Sequence, residues 1–120
     1  KGIEEIVLKQ VSQAYLRPPV IYSSFNLASL KICQQLDDSQ NYCYLAGHAI
    51  REPLQFLRKE HLNGLHLRRA QDNEGLIERI WTVNNEKRML KLFSQDVDGI
   101  FTDDFEKAMA TREQMLVGLL

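Results

Sequence analysis

Apolar side chains recur at Ile3, Ile6, Val7, Val11, Ala14 and Tyr15, the spacing of one helix face, and predict a helix over residues 2–15. Pro18-Pro19 ends it, because proline lacks the amide donor that a helix interior needs. Val20-Ile21-Tyr22 is short, apolar and β-prone, and reads as a first strand ending at Ser23-Ser24-Phe25-Asn26. Asn26 is placed to cap a helix that carries Leu27, Leu30 and Leu36. The run from Asp37 to Asn41 is a turn, and Tyr42-Cys43-Tyr44-Leu45 is a second strand ending at Gly47-His48. A third helix is expected over 50–60, with Pro53 in its first turn. Leu65-His66-Leu67 reads only as a brief extended run, and the polar stretch from Arg68 to Glu74 has no assignable element. Leu76 to Val83 is the third predicted strand, and Asn84 or Asn85 caps a helix carrying Met89, Leu90 and Leu92. Val97 to Phe101 is the fourth strand. Asp103 or Asp104 caps a last helix to about Val117, with Phe105, Ala108, Met109 and Met115 facing inward.

Strands alternating with helices over short connections imply an α/β chain of four parallel strand–helix units with right-handed crossovers. Four units in 120 residues are about half of the ~250 residues of an eight-stranded α/β barrel. The pattern fits half a barrel or a small doubly wound sheet, although the glycine-rich phosphate turn of the latter is missing. The expectation is a single domain over residues 1–120, the C-terminal part of a longer protein, because Lys1 leads at once into an amphipathic pattern; pattern alone leaves the choice between half a barrel and a doubly wound sheet open.

Composition narrows the function more than the fold. With 44% hydrophobic and 26% charged residues, the chain is able to build a core. Its 15 basic and 16 acidic residues leave a net charge of −1, which argues against nucleic-acid binding driven by bulk charge. No apolar run approaches the ~20 residues that cross a bilayer, and the tail from Met115 to Leu120 reads as packing on the barrel or a partner. The two cysteines, Cys33 and Cys43, fit no zinc spacing. They read as free thiols packed as small apolar groups, which favours a reducing cytoplasm; a single Cys33–Cys43 bridge is the alternative.

Three segments taken in order carry a resemblance: Ser23-Ser24-Phe25-Asn26 at a strand end, Gly75-Leu76-Ile77-Glu78-Arg79-Ile80-Trp81-Thr82-Val83-Asn84, and Asp98-Gly99-Ile100-Phe101-Thr102-Asp103. Together they resemble the last half of the glycerophosphodiester phosphodiesterase family. The resemblance implies strands five to eight of a (βα)8 barrel. It implies hydrolysis of glycerophosphodiesters to glycerol 3-phosphate and an alcohol, with a divalent metal, Ca²⁺ or Mg²⁺. The family's acid and base histidines and its metal carboxylates lie in the first half, so their ligands are expected outside this chain. The missing N-terminal half-barrel, or self-association through open sheet edges, is the expected partner. Two departures stand out. The connection from Leu65 to Gly75 is short where the family places a helical crossover, and Asp96 stands where a glycine is usual. A non-catalytic α/β interaction or regulatory module that keeps the fold is the alternative function.

By that resemblance Trp81 and Phe25 line the substrate pocket, the apolar wall against glycerol or the alcohol; the plainer roles are a core tryptophan and packing beneath the Asn26 helix. Ser23 and Ser24 have no base beside them and read as turn serines. His48, His61 and His66 are the only histidines and so the side chains that titrate near neutrality. Asp98 and Asp103 flank the last strand, where carboxylates could hold a metal, but a turn and a helix cap are the simpler roles. Arg68-Arg69 could grip a phosphate or lie in a solvated turn.

Overall fold

The computed structural model describes residues 2–13 and 20–118. In chain order its elements are α1 (Ile3–Gln13), β1 (Ile21–Ser24), α2 (Leu27–Leu36), β2 (Asn41–Ala46), α3 (Pro53–Glu60), β3 (Gly64–Leu67), β4 (Glu78–Ile80), α4 (Glu86–Ser94), β5 (Gly99–Ile100) and α5 (Phe105–Gly118). The expected stop at Pro18-Pro19 lies outside the described residues.

Side-chain donors and acceptors set the helix starts. Asn26 Oδ1 accepts from the Ser29 amide, the expected cap, and of the two asparagines offered for α4 it is Asn85 whose Oδ1 accepts from the Arg88 amide. Pro53 opens α3, where its missing N–H is no loss. The α5 cap is Asp104, whose Oδ1 accepts from the Lys107 amide. Asp103 is taken instead by Asn84 Nδ2 at 3.0 Å.

The strands form one parallel sheet in the order β1-β2-β3-β4-β5. Its register pairs Ser23 with Cys43, Cys43 with Gly64, His66 with Arg79 and Arg79 with Gly99. Paired residues of parallel strands share a face, and successive residues alternate. One face therefore carries Tyr22, Tyr42, Leu65, Leu67 and Ile80, buried against Leu30 of α2, Leu57 of α3 and Met89 and Leu92 of α4. The other carries Ser23, Cys43, Leu45, His66, Arg79 and Gly99.

The α/β class stands as read, with five strands instead of four. Leu65-His66-Leu67 is no incidental run but the centre of the sheet, buried at all four positions of β3. Three apolar-flanked residues are too few for period-2 alternation to register. The sheet therefore has one strand more than the four expected of half an eight-stranded barrel. The Arg68–Glu74 stretch is a crossover without a helix, held by two side chains. Glu78, buried within the sheet, accepts from the Gln71 and Asp72 amides at 2.8 and 3.1 Å. The Gln71 amide group in turn bonds the Ile50 backbone on both sides, at 2.7 and 2.8 Å.

Among the described residues no strand pairs beyond β1 or β5, so both sheet edges are open. At the β1 side Ile21 is exposed, and α1, which packs on α2, exposes Ile3, Ile6 and Val7. At the β5 edge Phe101, Met109 and Leu116 are exposed, and Phe105 is 70% exposed. The expected inward set on α5 is thus half right: Ala108 is buried and Met115 half-buried, while Phe105 and Met109 face out and Thr111 is the other buried residue. The total surface is 8618 Å², against ~6,700 Å² for a compact monomer of this mass. The excess is what a sheet covered by helices on one face only would show.

Candidate functional site

The C-terminal strand ends converge on Trp81. Phe25, directly after β1, meets the Trp81 ring edge to face with centroids 5.8 Å apart and planes at 87°. The Arg68 guanidinium, directly after β3, stands over the same ring at 5.9 Å. The indole Nε1 donates to the His66 carbonyl at 3.0 Å, which fixes the ring across two strands. The two residues expected at the pocket are thus brought together, with Trp81 half-buried and Phe25 60% exposed. An aromatic pair of this geometry contributes about 0.5–1.5 kcal/mol beyond burial, yet leaves apolar surface facing solvent.

The strand-to-helix turns around this end are cross-linked. Asn84 Oδ1 accepts from Thr102 Oγ1 and from the Asp103 amide, both at 2.9 Å. Arg88 reaches back from α4 to donate to the Thr82 and Arg68 carbonyls. Asn84 and Arg88 therefore hold the turns after β3, β4 and β5 in one arrangement. The sequence offered Asn84 only as a possible cap and gave no sign of the Arg88 bridge, since its partner lies twenty residues away.

Below this rim, on the uncovered face, sits a cluster that single-residue reading missed. Arg79 Nη1 lies 3.3 Å from His66 Nε2 and donates to Cys43 Sγ at 3.8 Å. Arginine has no acceptor, so His66 Nε2 must accept and the neutral ring carries its proton on Nδ1. That Nδ1 is buried and unpartnered among the described residues. His66 itself is 2% exposed, and its ring stands against Phe101 at 4.9 Å. Burial, and then the Arg79 charge, lower its pKa to about 4. Burial pushes the Cys43 thiol up, with Arg79 opposing. Among the described residues Arg79 meets no carboxylate. No sequence signal pairs His66 with Arg79; the sheet register does.

The remaining candidates separate. His66 is held neutral and is a poor acid or base near pH 7. His48 is exposed beyond β2, and His61 is the C-cap of α3 with φ 57°. Ser24 Oγ accepts from the Asn26 amide at 2.9 Å, the turn role expected of it. Ser23 is exposed on the uncovered face. Asp98 Oδ2 accepts from the Glu78 amide at 2.8 Å and ties the last two strands. Cys33 and Cys43 are both free and buried, the first on α2 and the second on the sheet's other face. Among the described residues no group of three or more His, Cys, Asp or Glu could hold a metal, and no helix is long and apolar enough to cross a membrane.

Comparison with known proteins fits this geometry. The glycerophosphoryl diester phosphodiesterase family matches residues 2–107. A glycerophosphodiester phosphodiesterase of Bacillus altitudinis is 30% identical over 125 residues, which cover 95% of this chain and 51% of that protein. An Oleispira antarctica phosphodiesterase, solved in complex with the product sn-glycerol-3-phosphate, superposes with a TM-score of 0.82 at 21% identity. That match covers 92% of this chain and 49% of the solved one. A glycerophosphodiester phosphodiesterase from Parabacteroides distasonis ATCC 8503 superposes at a TM-score of 0.75 and 22% identity, over 98% of this chain and 51% of its own. The chain spans about half the length of the relatives it matches.

Proposed function

Because the chain belongs to the glycerophosphoryl diester phosphodiesterase family, we propose that it forms the C-terminal part of an enzyme that hydrolyses glycerophosphodiesters. In that reaction water adds to phosphorus, the ester bond to the alcohol breaks, and the alcohol leaves with a proton, giving glycerol 3-phosphate. The observation that carries the reading is the Phe25–Trp81 pair, 5.8 Å apart at the C-terminal ends of parallel strands, the end where α/β barrels place their chemistry. The pair presents an apolar wall to the glycerol or alcohol carbons, and the Asn84 and Arg88 bonds hold the wall in place.

The acid, the base and the carboxylates for a divalent cation are assigned to strands outside this chain. The described residues do not fit a metal site by themselves, and none of their roles here depends on one. Three features support completion by further strands. Both sheet edges are open and flanked by apolar side chains. Among the described residues Arg79 meets no carboxylate on the concave side, and the buried His66 Nδ1 has no acceptor there. Strands bringing acceptors to that side would satisfy both groups.

The test is release of glycerol 3-phosphate from glycerophosphocholine, measured for the complete protein and for residues 1–120 alone. Activity in the complete protein and none in the isolated chain is the expected result. Activity in residues 1–120 alone would reassign the acid and base to this chain. No activity in the complete protein would favour a non-catalytic module that keeps the fold.

A further inference from the structure

Beside Trp81 a cleft of about 770 Å³ opens between the segment after β3 and one side of α4. Arg68, Arg69, Arg88 and Lys91 line it, and among the described residues no carboxylate does. In a chain of net charge −1, four cations around one concavity are a segregation of charge. The cleft exists because the crossover from β3 to β4 carries no helix: α4 turns Arg88, Lys91 and Gln95 toward the space a crossover helix would fill. Its wall is built. Arg88 is anchored on the Thr82 and Arg68 carbonyls, and Arg68 lies over the Trp81 ring. Trp81 therefore stands between the apolar wall with Phe25 on one side and this basic cleft on the other.

We propose that the cleft is a specificity subsite for a second anionic group, so that the preferred substrate is a glycerophosphodiester whose alcohol carries a phosphate of its own. The inference rests on the reading of the chain as part of a glycerophosphodiester hydrolase. A phosphodiester held at the strand ends directs its alcohol past Trp81, and a phosphate on that alcohol meets guanidinium groups able to bind it in forked pairs. A cationic alcohol such as choline meets like charge there instead, with Arg68 already on the Trp81 face where an ammonium group would stack.

The test compares kcat/KM for glycerophosphoinositol 4-phosphate with that for glycerophosphoinositol, using the complete protein at low salt. The two differ only in the added phosphate, and loss of folded protein cancels in their ratio. The expected ratio is about tenfold or more in favour of the phosphorylated substrate, shrinking as salt is added. In Arg69→Ala/Lys91→Ala it should fall to about one to two. A ratio near one in the unaltered protein, or a high ratio that the double variant leaves in place, overturns the subsite. Hydrolysis of neither substrate, nor of glycerophosphocholine, overturns the reading on which the subsite rests.

Discussion

The two faces of the sheet are made by the same five strands and have opposite characters. The helix-side face is a finished core: Leu65 and Ile80 are 0% exposed and Leu67 1%. The concave face holds Ser23, Cys43, His66, Arg79 and Gly99, small or polar residues beside the single leucine Leu45. Alternation along each strand separates the two sets at no distance at all, since Leu65 and His66 are neighbours. The comparison teaches that stability and chemistry need not compete for residues here. One face supplies the burial that holds the fold. Under the proposed function, the other faces the strands that would complete a barrel and the substrate they would enclose.

Substitutions at four positions test that division. The largest effect on stability belongs to the helix side, where Leu65→Ala should cost about 2–5 kcal/mol in urea or thermal unfolding. Activity per folded molecule should hold. A cost under about 1 kcal/mol would mean that the face is not the core it looks. On the concave side Gly64→Ala should cost about 1–3 kcal/mol, because an added Cβ would stand 2.8 Å from the Ile77 carbonyl and Cγ2. An unchanged midpoint would show that β3 and β4 can part there without loss.

At the rim, Trp81→Ala should lower kcat/KM for glycerophosphodiesters by about tenfold or more, from lost apolar contact of roughly 1.5–3 kcal/mol. Unfolding should move much less than for Leu65→Ala. Trp81→Phe keeps a ring but loses the bond to the His66 carbonyl, so it should fall between. Equal collapse of stability and activity in Trp81→Ala would make the tryptophan a core residue.

The last test is a pH dependence. The His66 pKa is about 4 when folded, against 6.5 for the free ring. Above 6.5 both states are neutral and nothing is lost. As pH falls from 6.5 towards 4, the unfolded ring takes up a proton that the folded ring refuses, and stability declines. Below 4 the folded ring titrates as well and this contribution levels off. His66→Gln should flatten the unfolding profile across that window. A profile unaltered by the substitution would place the titration elsewhere.

Legibility followed sequence distance. The Asn26 cap, the Pro53 start and the Ser24 turn were readable because each is settled within three or four residues, whereas Asn84 and Asn85 were both open as the α4 cap. Asp103 and Asp104 were interchangeable at that range, and only Asn84, across the turn after β4, decides between them. The Phe25–Trp81 pair was expected from motif resemblance, not from spacing. The Arg79–His66–Cys43 cluster and the Arg88 bridge were not readable, since each joins residues from different strands or turns. The Asp96 position, where glycine is usual, does adopt φ 60°, a conformation aspartate tolerates better than most residues.

The sequence by itself determined the local elements, the α/β class and the family resemblance, because caps, breakers and periodicity act through neighbours along the chain. It did not determine which residues face helices and which face the concave side, that β3 lies at the centre, or that α1 and α5 leave apolar faces open. Those follow from strand order and register, which place residues such as Cys43, His66 and Arg79 side by side. An exposed Phe105 and a guanidinium without a carboxylate are decided by what packs against them, and that is a property of tertiary structure alone.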